Sequence, residues 1–436
     1  MSATRLPMTP PRPISQTSPA DQVSYGDLYT RWERGNWRAT ELDFSQDRVH
    51  WREQFSELER RSALWNYALF FHGEDSVADN LSPYIDAAPR EEQKYFLATQ
   101  QVDEARHAVF FDRFMREVVQ VGGDGSIAGS LHATGPELTW GFRRVFGRLD
   151  RMADELRQDR SRPKLAQAIA LYHFVIEASL AQPGQHFIER YLDERKLLPG
   201  FHEGIRNVSL DEQRHIAFGV KLVSDLIAED PECVDAIVEL MNEVIPYTTA
   251  VLVPPDWDES YIECFGITLE ELYEDAAASL EAKLRAAGVP PEAMDRMSLP
   301  FDLSPRERVR RALTLLRANM LGEKLGPVSR DPHAVEVLFE AIRRQADPRV
   351  VPSGATLQWE FDDFEPWYLL LDNGTSRVQR GRAPEPDVTL RCRFEDWIDV
   401  VARRADPRSL LLRRRLRPRG RLRLLVRLPR LFGAGW

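Results

Sequence analysis

The 436 residues carry a net charge of −10, and at this length the chain exceeds one typical domain and can support two substantial cores. Charge is unevenly spread: residues 1–300 hold 31 Lys or Arg against 50 Asp or Glu, whereas residues 301–436 hold 27 against 18, so an acidic module precedes a basic one. Three scattered cysteines, Cys233, Cys264 and Cys392, form neither a disulfide framework nor a metal spacing and point to a reducing cytoplasm. No run approaches the roughly 18 apolar residues of a membrane-spanning helix.

Residues 1–20 are rich in Pro, Ser and Thr without an apolar core and read as a disordered tail, not a signal peptide. Tyr25 to Asp47 contains Trp32, Trp37 and Phe44 and is expected to cover one end of a helical bundle; a Trp near a redox metal can also pass electrons, a role open to Trp37. A helical stretch from Asp47 to about Ile85 carries Glu74. After a turn at Pro89, a helix from about Arg90 to Val121 carries Asp103-Glu104-Ala105-Arg106-His107 and stops at Gly122 to Gly125. Pro89 lies 15 residues from both Glu74 and Glu104, so two antiparallel helices meeting there bring the carboxylates to one height.

Residues 126–160 read as an amphipathic helix, and a helix from about Pro163 to Lys196 carries Glu177. A second copy of the motif, Asp211-Glu212-Gln213-Arg214-His215, sits on a helix over His202 to Ala228. The break at Pro199-Gly200 is off centre between Glu177 and Glu212, which on straight helices leaves their carboxylates roughly 10 Å out of register. A kink at Pro183-Gly184 is expected to absorb the offset. Helices over 231–250 and 268–287 complete the all-helical module, residues 21–285.

In each motif Glu and His stand three residues apart, on one helix face and roughly 5–6 Å from each other. With the upstream acids the set is Glu74, Glu104, His107, Glu177, Glu212 and His215: four carboxylates and two imidazoles, an inventory that suits a dinuclear carboxylate centre in a bundle core. The plainer reading places these acids on a solvent face, because buried carboxylates without cations cost several kcal/mol each. The apolar stripes beside them, Leu97, Ala108, Phe111 and Met115 on one helix and Leu165, Ile169, Ile176 and Leu180 on another, argue for burial. Hard oxygen donors with one imidazole per ion favour iron or manganese over structural zinc.

Residues 286–300, with Gly288, Pro290, Pro291 and Pro300, read as a linker, and the grammar then changes. Helices are expected over Ser304 to Met320 and Pro332 to Arg344. Strands are expected over Ala355 to Phe361, Glu365 to Leu371, Val388 to Cys392 and Gly420 to Leu428, with a tight turn at Asp372-Asn373-Gly374 and a helix over Arg393 to Arg403. Residues 301–436 thus form a smaller α+β module.

On Glu74, Asp103-Glu104-x-x-His107, Glu177, Asp211-Glu212-x-x-His215, Trp37 and Glu41-Leu42-Asp43, the first 285 residues resemble the ferritin-like superfamily. Within it they are similar to the small subunit of class I ribonucleotide reductase and to the ribonucleotide-reductase-like ligand-binding oxidases. The resemblance implies two iron ions, or one manganese and one iron, and dioxygen as co-substrate. It also implies that Asp103 and Asp211 each accept the free N–H of the opposite His. Where the reductase keeps a radical-storing Tyr, four residues after the first motif His, this chain has Phe111, which disfavours a reductase role. Like the ligand-binding oxidases it has a Tyr five residues before the third Glu, Tyr172, a candidate redox or hydrogen-bonding group. The Val that such a Tyr cross-links to in that group is replaced by Ser76, with Val77 next. His173 is a candidate third imidazole ligand, although the helix position where such a ligand is expected holds Val208. On Thr356 to Trp359, Pro386 to Leu390 and the segment after Gly420, the second module resembles the sterol-carrier-protein fold, which implies an apolar tunnel for lipid or acyl chains.

The expectation is therefore a dinuclear-metal oxidase or oxygenase supplied by an external electron donor and acting on a hydrophobic, lipid-like molecule or acyl chain held by the second module. Two other readings stand beside it: a non-catalytic lipid carrier whose bundle stores metal or senses oxygen, and a radical generator for a reductase partner. Arg403 to Arg430 holds 12 Arg and one acid. Few aromatics are interleaved, so nucleic acid is not expected. An anionic membrane surface, or the acidic module of the same chain or of a second copy in a homodimer, fits better.

Overall fold

The computed structural model describes residues 23–122 and 124–432; the expected tail lies outside them. α1 (Tyr25–Arg34) begins at a capping box in which Ser24 and Asp27 each satisfy the other's backbone N–H. α2 (Ser45–Glu53), α3 (Glu57–Asn80) and α4 (Ser82–Ala87) divide the single helix expected up to Ile85, because Ser56 with Glu59 starts a fresh capping box and Pro83 opens a new first turn. α5 (Glu91–Phe114) returns along α3 and ends in π-helical turns over Met115–Val119. α6 (Ile127–Thr134) and α7 (Trp140–Gln158) replace the one helix read over 126–160, with Gly135-Pro136 between them.

α8 (Arg162–Ile169) runs into a π-helical stretch, Ala170–Ala181, and continues as α9 (Gln182–Arg195). Glu177 lies within this π-helical stretch, which ends just before Pro183, where a kink alone was expected. The Gln182 N–H reaches back five residues to the Glu177 carbonyl, the wider pairing that shifts side chains around the axis. α10 (Pro199–Glu229) has no side-chain cap of its own at Leu198. Its first amides are satisfied from α2: the Asp47 carboxylate accepts from Gly200 N at 3.0 Å and Phe201 N at 2.7 Å, a favourable place for an anion.

α11 (Glu232–Thr248), α12 (Ser260–Glu263) and α13 (Leu269–Ala286) close the bundle. The stretch expected to be a linker is not free. Ala287, Val289, Ala293, Met294, Met297 and Phe301 are buried in the bundle core, α14 (Pro291–Met294) lies within it, and Asn242 of α11 accepts from Ser298 N at 2.6 Å and donates to Arg296 O at 3.0 Å. Prolines here shape a packed path, not a loose tether. α15 (Pro305–Arg317) packs on α13 and contributes Val309, Leu313 and Leu316 to the bundle core but Leu315 to the second core.

The second core lies between α16 (Pro332–Gln345) and α17 (Phe394–Val401) and a five-stranded sheet of β1 (Ala355–Phe361), β2 (Trp367–Asp372), β3 (Thr375–Arg380), β4 (Val388–Cys392) and β5 (Arg417–Gly420) in the order β3-β2-β1-β4-β5. β1 and β4 are parallel and the other pairs antiparallel. Asn373 and Gly374, both at positive φ, make the expected tight turn. The last strand is corrected: β5 covers 417–420, and the residues after Gly420 form short helices, α19 (Leu422–Leu425) and α20 (Leu428–Leu431), following α18 (Pro407–Leu412). Leu424 and Leu431 are buried seven residues apart while Leu422 and Val426 are exposed, a two-turn helical spacing that the Arg-Leu alternation had disguised as a strand. No helix among the described residues is long and apolar enough to cross a membrane.

Candidate metal centre

α3, α5, the π-helical stretch and α10 each present acids to one buried point. Glu74, Glu104, His107, Glu177, Glu212 and His215 are all at most 5% exposed, which removes the solvent-face alternative. They fall into two groups, Glu74-Glu104-His107-Glu212 and Glu104-Glu177-Glu212-His215; within each, one donor atom per residue lies within 4.8 Å of all the others. Glu104 and Glu212 belong to both groups. Four helical segments thus supply two adjacent four-donor sets with two shared carboxylates, a geometry that could hold a pair of cations.

Each imidazole has one nitrogen turned into the cluster and one turned away. His107 Nδ1 lies 3.2 Å from Glu74 and 3.7 Å from Glu212, while its Nε2 is 3.1 Å from Asp211. His215 Nδ1 lies 3.2 Å from Glu104 and 3.3 Å from Glu177, while its Nε2 is 3.0 Å from Asp103. The Asp of each motif therefore meets the His of the other, which places an N–H on Nε2 and turns Nδ1 toward the acids. Both Asp are held in turn. Arg214 donates to Asp103 and Arg106 to Asp211 across the helix pair, Trp32 Nε1 donates to Asp103 at 2.9 Å, and Trp37 Nε1 donates to Asp211 at 2.8 Å. Trp37 also stacks on His107, and the Arg106 guanidinium lies over its ring, 5.0 Å from the centre.

Electrostatics show how much the cluster depends on positive charge. Burial pushes the Glu74 carboxyl up to about 8 and Glu177 up to about 7, and burial together with the neighbouring Glu177 and Glu104 charges holds Glu212 well above the usual range. Glu104 goes the other way: burial opposes its ionisation, but His107 and His215 beside it hold it well below the usual range. Both imidazoles are raised, against the effect of burial, by the surrounding carboxylates. Protons therefore occupy the place that cations would take. Buried Glu177 Oε2 and Glu212 Oε2 have no hydrogen-bond partner, and such orphaned acceptors in a closed core are what metal ligation would satisfy.

Tyr172 is fully buried; its hydroxyl donates to Glu104 and accepts from Gln100 Nε2 at 3.0 Å. Burial and the Glu104 charge raise it well above an ordinary phenol, so it stays neutral and acts as a donor. Gln100, which the sequence reading passed over, also donates to Glu177 at 3.0 Å; its position four residues before Glu104, on the same face, was the available signal. His173 does not join the cluster. Its nitrogens lie 3.2 Å from the Ile169 carbonyl and from Gln100 Oε1, and burial lowers it to about 3. Glu74, Glu104, Glu177 and Glu212 floor a cavity whose other walls, Asn66 apart, are apolar and include Phe70, Val77, Phe142, Phe146, Ile176 and Leu252. Val77, not Ser76, faces this space.

The family model for the ribonucleotide reductase small chain matches residues 16–252, more than half the sequence. The chain belongs to that family. Residues 336–433 match the SCP-2 sterol transfer family, in agreement with the sheet and helices of the second core. Among solved structures, an R2-like ligand-binding oxidase variant with an anaerobically reconstituted Mn/Fe cofactor is 23% identical, with a TM-score of 0.53 over 62% of this chain and 95% of that one. The R2-like ligand-binding oxidase from Sulfolobus acidocaldarius is 24% identical, with a TM-score of 0.52 over 65% of this chain and 93% of that one. At this identity the likeness is one of fold. It leaves the second module of the present chain without a counterpart in those structures.

Proposed function

We propose that the chain is an oxygen-dependent oxidoreductase in which two iron ions, or one manganese and one iron, would be held by Glu74, Glu104, His107, Glu177, Glu212 and His215, with Glu104 and Glu212 belonging to both donor sets. The observation that carries this reading is the sharing of two carboxylates by two buried donor sets at the floor of an apolar cavity. Such a pair of ions would supply electrons to dioxygen beside a largely apolar cavity. Asp103 and Asp211 fix the tautomers of His215 and His107. Tyr172 holds a proton at Glu104, and Gln100 orients Glu177. The substrate is hydrophobic and lipid-like, as the apolar walls and the likeness of the second module to sterol transfer proteins suggest, and the reducing electrons come from an external donor.

Phe111 stacks on Phe70 with ring centres 5.8 Å apart and offers no phenol for a stored radical, which speaks against a reductase partner role. The basic segment pairs partly with its own module, through Arg415 to Asp396, Arg417 to Asp362 and Arg421 to Asp387, and Arg403 donates to the Asn242 carbonyl of α11 at 2.8 Å. Its unburied face sets Leu412, Leu422 and Val426, each at least 70% exposed, among arginines. That composition suits an anionic membrane surface from which a lipid is drawn by a cytoplasmic protein. Metal analysis after reconstitution, coupled to oxygen uptake with a chemical reductant, tests the central claim: close to two iron or manganese ions per chain are expected, and fewer than one overturns it. Metal binding without any oxygen uptake would favour the storage or sensing role instead.

A further inference from the structure

The chain meets almost every need for positive charge with arginine: of its 58 Lys and Arg, six are Lys. Five of the six stand within 3.5 Å of an acid, Lys94 beside Glu91, Lys164 beside Glu155, Lys196 beside Asp193, Lys221 beside Asp225 and Lys324 beside Glu395. Lys283 is the exception. Among the described residues it has no ion-pair partner, and burial alone lowers it from the ordinary lysine value.

Lys283, on α13, lines a groove of about 280 Å³ together with Gln182 of α9, with Gln213, Ile216, Ala217 and Val220 of α10, and with Val23 just before α1. Its amine is thus the one charged group among four apolar side chains and two amides. Gln213 and Ile216 each directly follow a donor of the carboxylate cluster, and one residue turns a helix by about 100°, so the groove and the cluster occupy different faces of α10. Gln182 Oε1 accepts from Ser279 Oγ at 3.3 Å, one turn before Lys283, which leaves the Gln182 N–H groups as donors. An arginine in this groove would stay charged; lysine can shed its proton and become a nucleophile.

We propose that Lys283 is an imine-forming amine and that the groove takes an aldehyde whose hydrocarbon lies along Val23, Ile216, Ala217 and Val220. The neutral Nζ adds to the carbonyl carbon, and one N–H proton passes to the former carbonyl oxygen to give a carbinolamine. That oxygen takes a second proton from solvent and leaves as water, and the C–N double bond forms as a protonated imine. No oxidant or reductant enters. The Gln182 amide, in the same groove, is the donor available to the oxygen before it leaves, and the apolar walls keep out the water that would reverse the step. Neither the dinuclear centre nor its ions take part, so the site stands or falls apart from the oxidase reading.

The full chain, held without oxygen at neutral pH, is treated with hexanal and cyanoborohydride, which reduces an imine to a stable secondary amine, and the modified lysines are mapped by peptide mass spectrometry. Lys283 is expected to label roughly tenfold faster than the mean of the other five lysines. With glyceraldehyde, which gains nothing from apolar walls, that preference should shrink to about threefold or less. Even labelling of all six lysines by hexanal, or an equal preference for Lys283 with both aldehydes, overturns the proposal, and neither comparison needs a variant to fold. Ala217→Phe, which fills the groove, should slow the labelling of Lys283 by hexanal roughly tenfold and leave the other five unchanged. If that variant melts like the unaltered chain and Lys283 still labels fast, the groove does not hold the aldehyde and the proposal fails.

Discussion

Glu104 and Glu212 differ from the other acids of the cluster in serving both donor sets, and that difference is measurable. Replacing either by Ala should empty both positions, whereas Glu74→Ala or Glu177→Ala should leave about one ion per chain, read by metal analysis of reconstituted protein. Asp211→Asn is expected to keep the fold but present His107 with the wrong hydrogen-bonding partner, lowering metal affinity roughly 10- to 100-fold; competition with a chelator reads this. The acid-base behaviour of the metal-free protein gives a third expectation. Glu74 and Glu177 are raised to about 8 and about 7, and Glu212, His107 and His215 are raised as well. The folded state therefore holds more protons than the unfolded one across mildly acidic to neutral pH, and stability must fall as pH rises through that window. Glu104 and Asp211 are lowered and act only in stronger acid. Melting of metal-free protein should thus come at a lower temperature at pH 8 than at pH 5.5, and adding manganese or iron at pH 8 should reverse the loss.

At the scale of elements, close helix approach sets the positions of the ligands. A Cβ at Gly204 of α10 would stand 2.1 Å from the Phe110 ring of α5, three residues beyond His107. Gly204→Ala should therefore push the two motif helices apart and cost about 1–3 kcal/mol in thermal unfolding. The paired motifs and the helices that carry them were legible in the sequence, because a Glu and a His at helical spacing within an apolar stripe leave few alternatives. The cross-pairing of Asp103 with His215 and Asp211 with His107 came only from the resemblance and is now a matter of distance. What the sequence concealed has identifiable causes. The π-helical stretch over Ala170–Ala181 depends on backbone pairing and has no side-chain signature. β3 (Thr-Ser-Arg-Val-Gln-Arg) lies at the sheet edge with mostly unburied residues and shows no apolar alternation. The alternation after Gly420 fits a strand and a short helix equally. Trp32 looked like packing until its N–H was seen to reach Asp103.

At the scale of the whole molecule, the chain divides differently from its composition. Prolines and glycines at 286–300 suggested a linker, yet buried Met294 and Met297 bind that stretch to the bundle and α15 faces both cores. A protein truncated after residue 300 should consequently lose the cover of α13 and melt well below the full chain, while one ending after residue 329 should retain most of the bundle's stability; differential scanning calorimetry separates the two.

A helix with one face in each core also joins the energetics of the two ends. If a molecule seated against α16 prefers one setting of α15, thermodynamic reciprocity requires that ions bound beside α10 alter the affinity for that molecule by the same factor by which the molecule alters theirs. Cargo and cofactor would then report on each other's presence without touching, and a loaded carrier face would be felt at the centre as a change in its hold on the second ion.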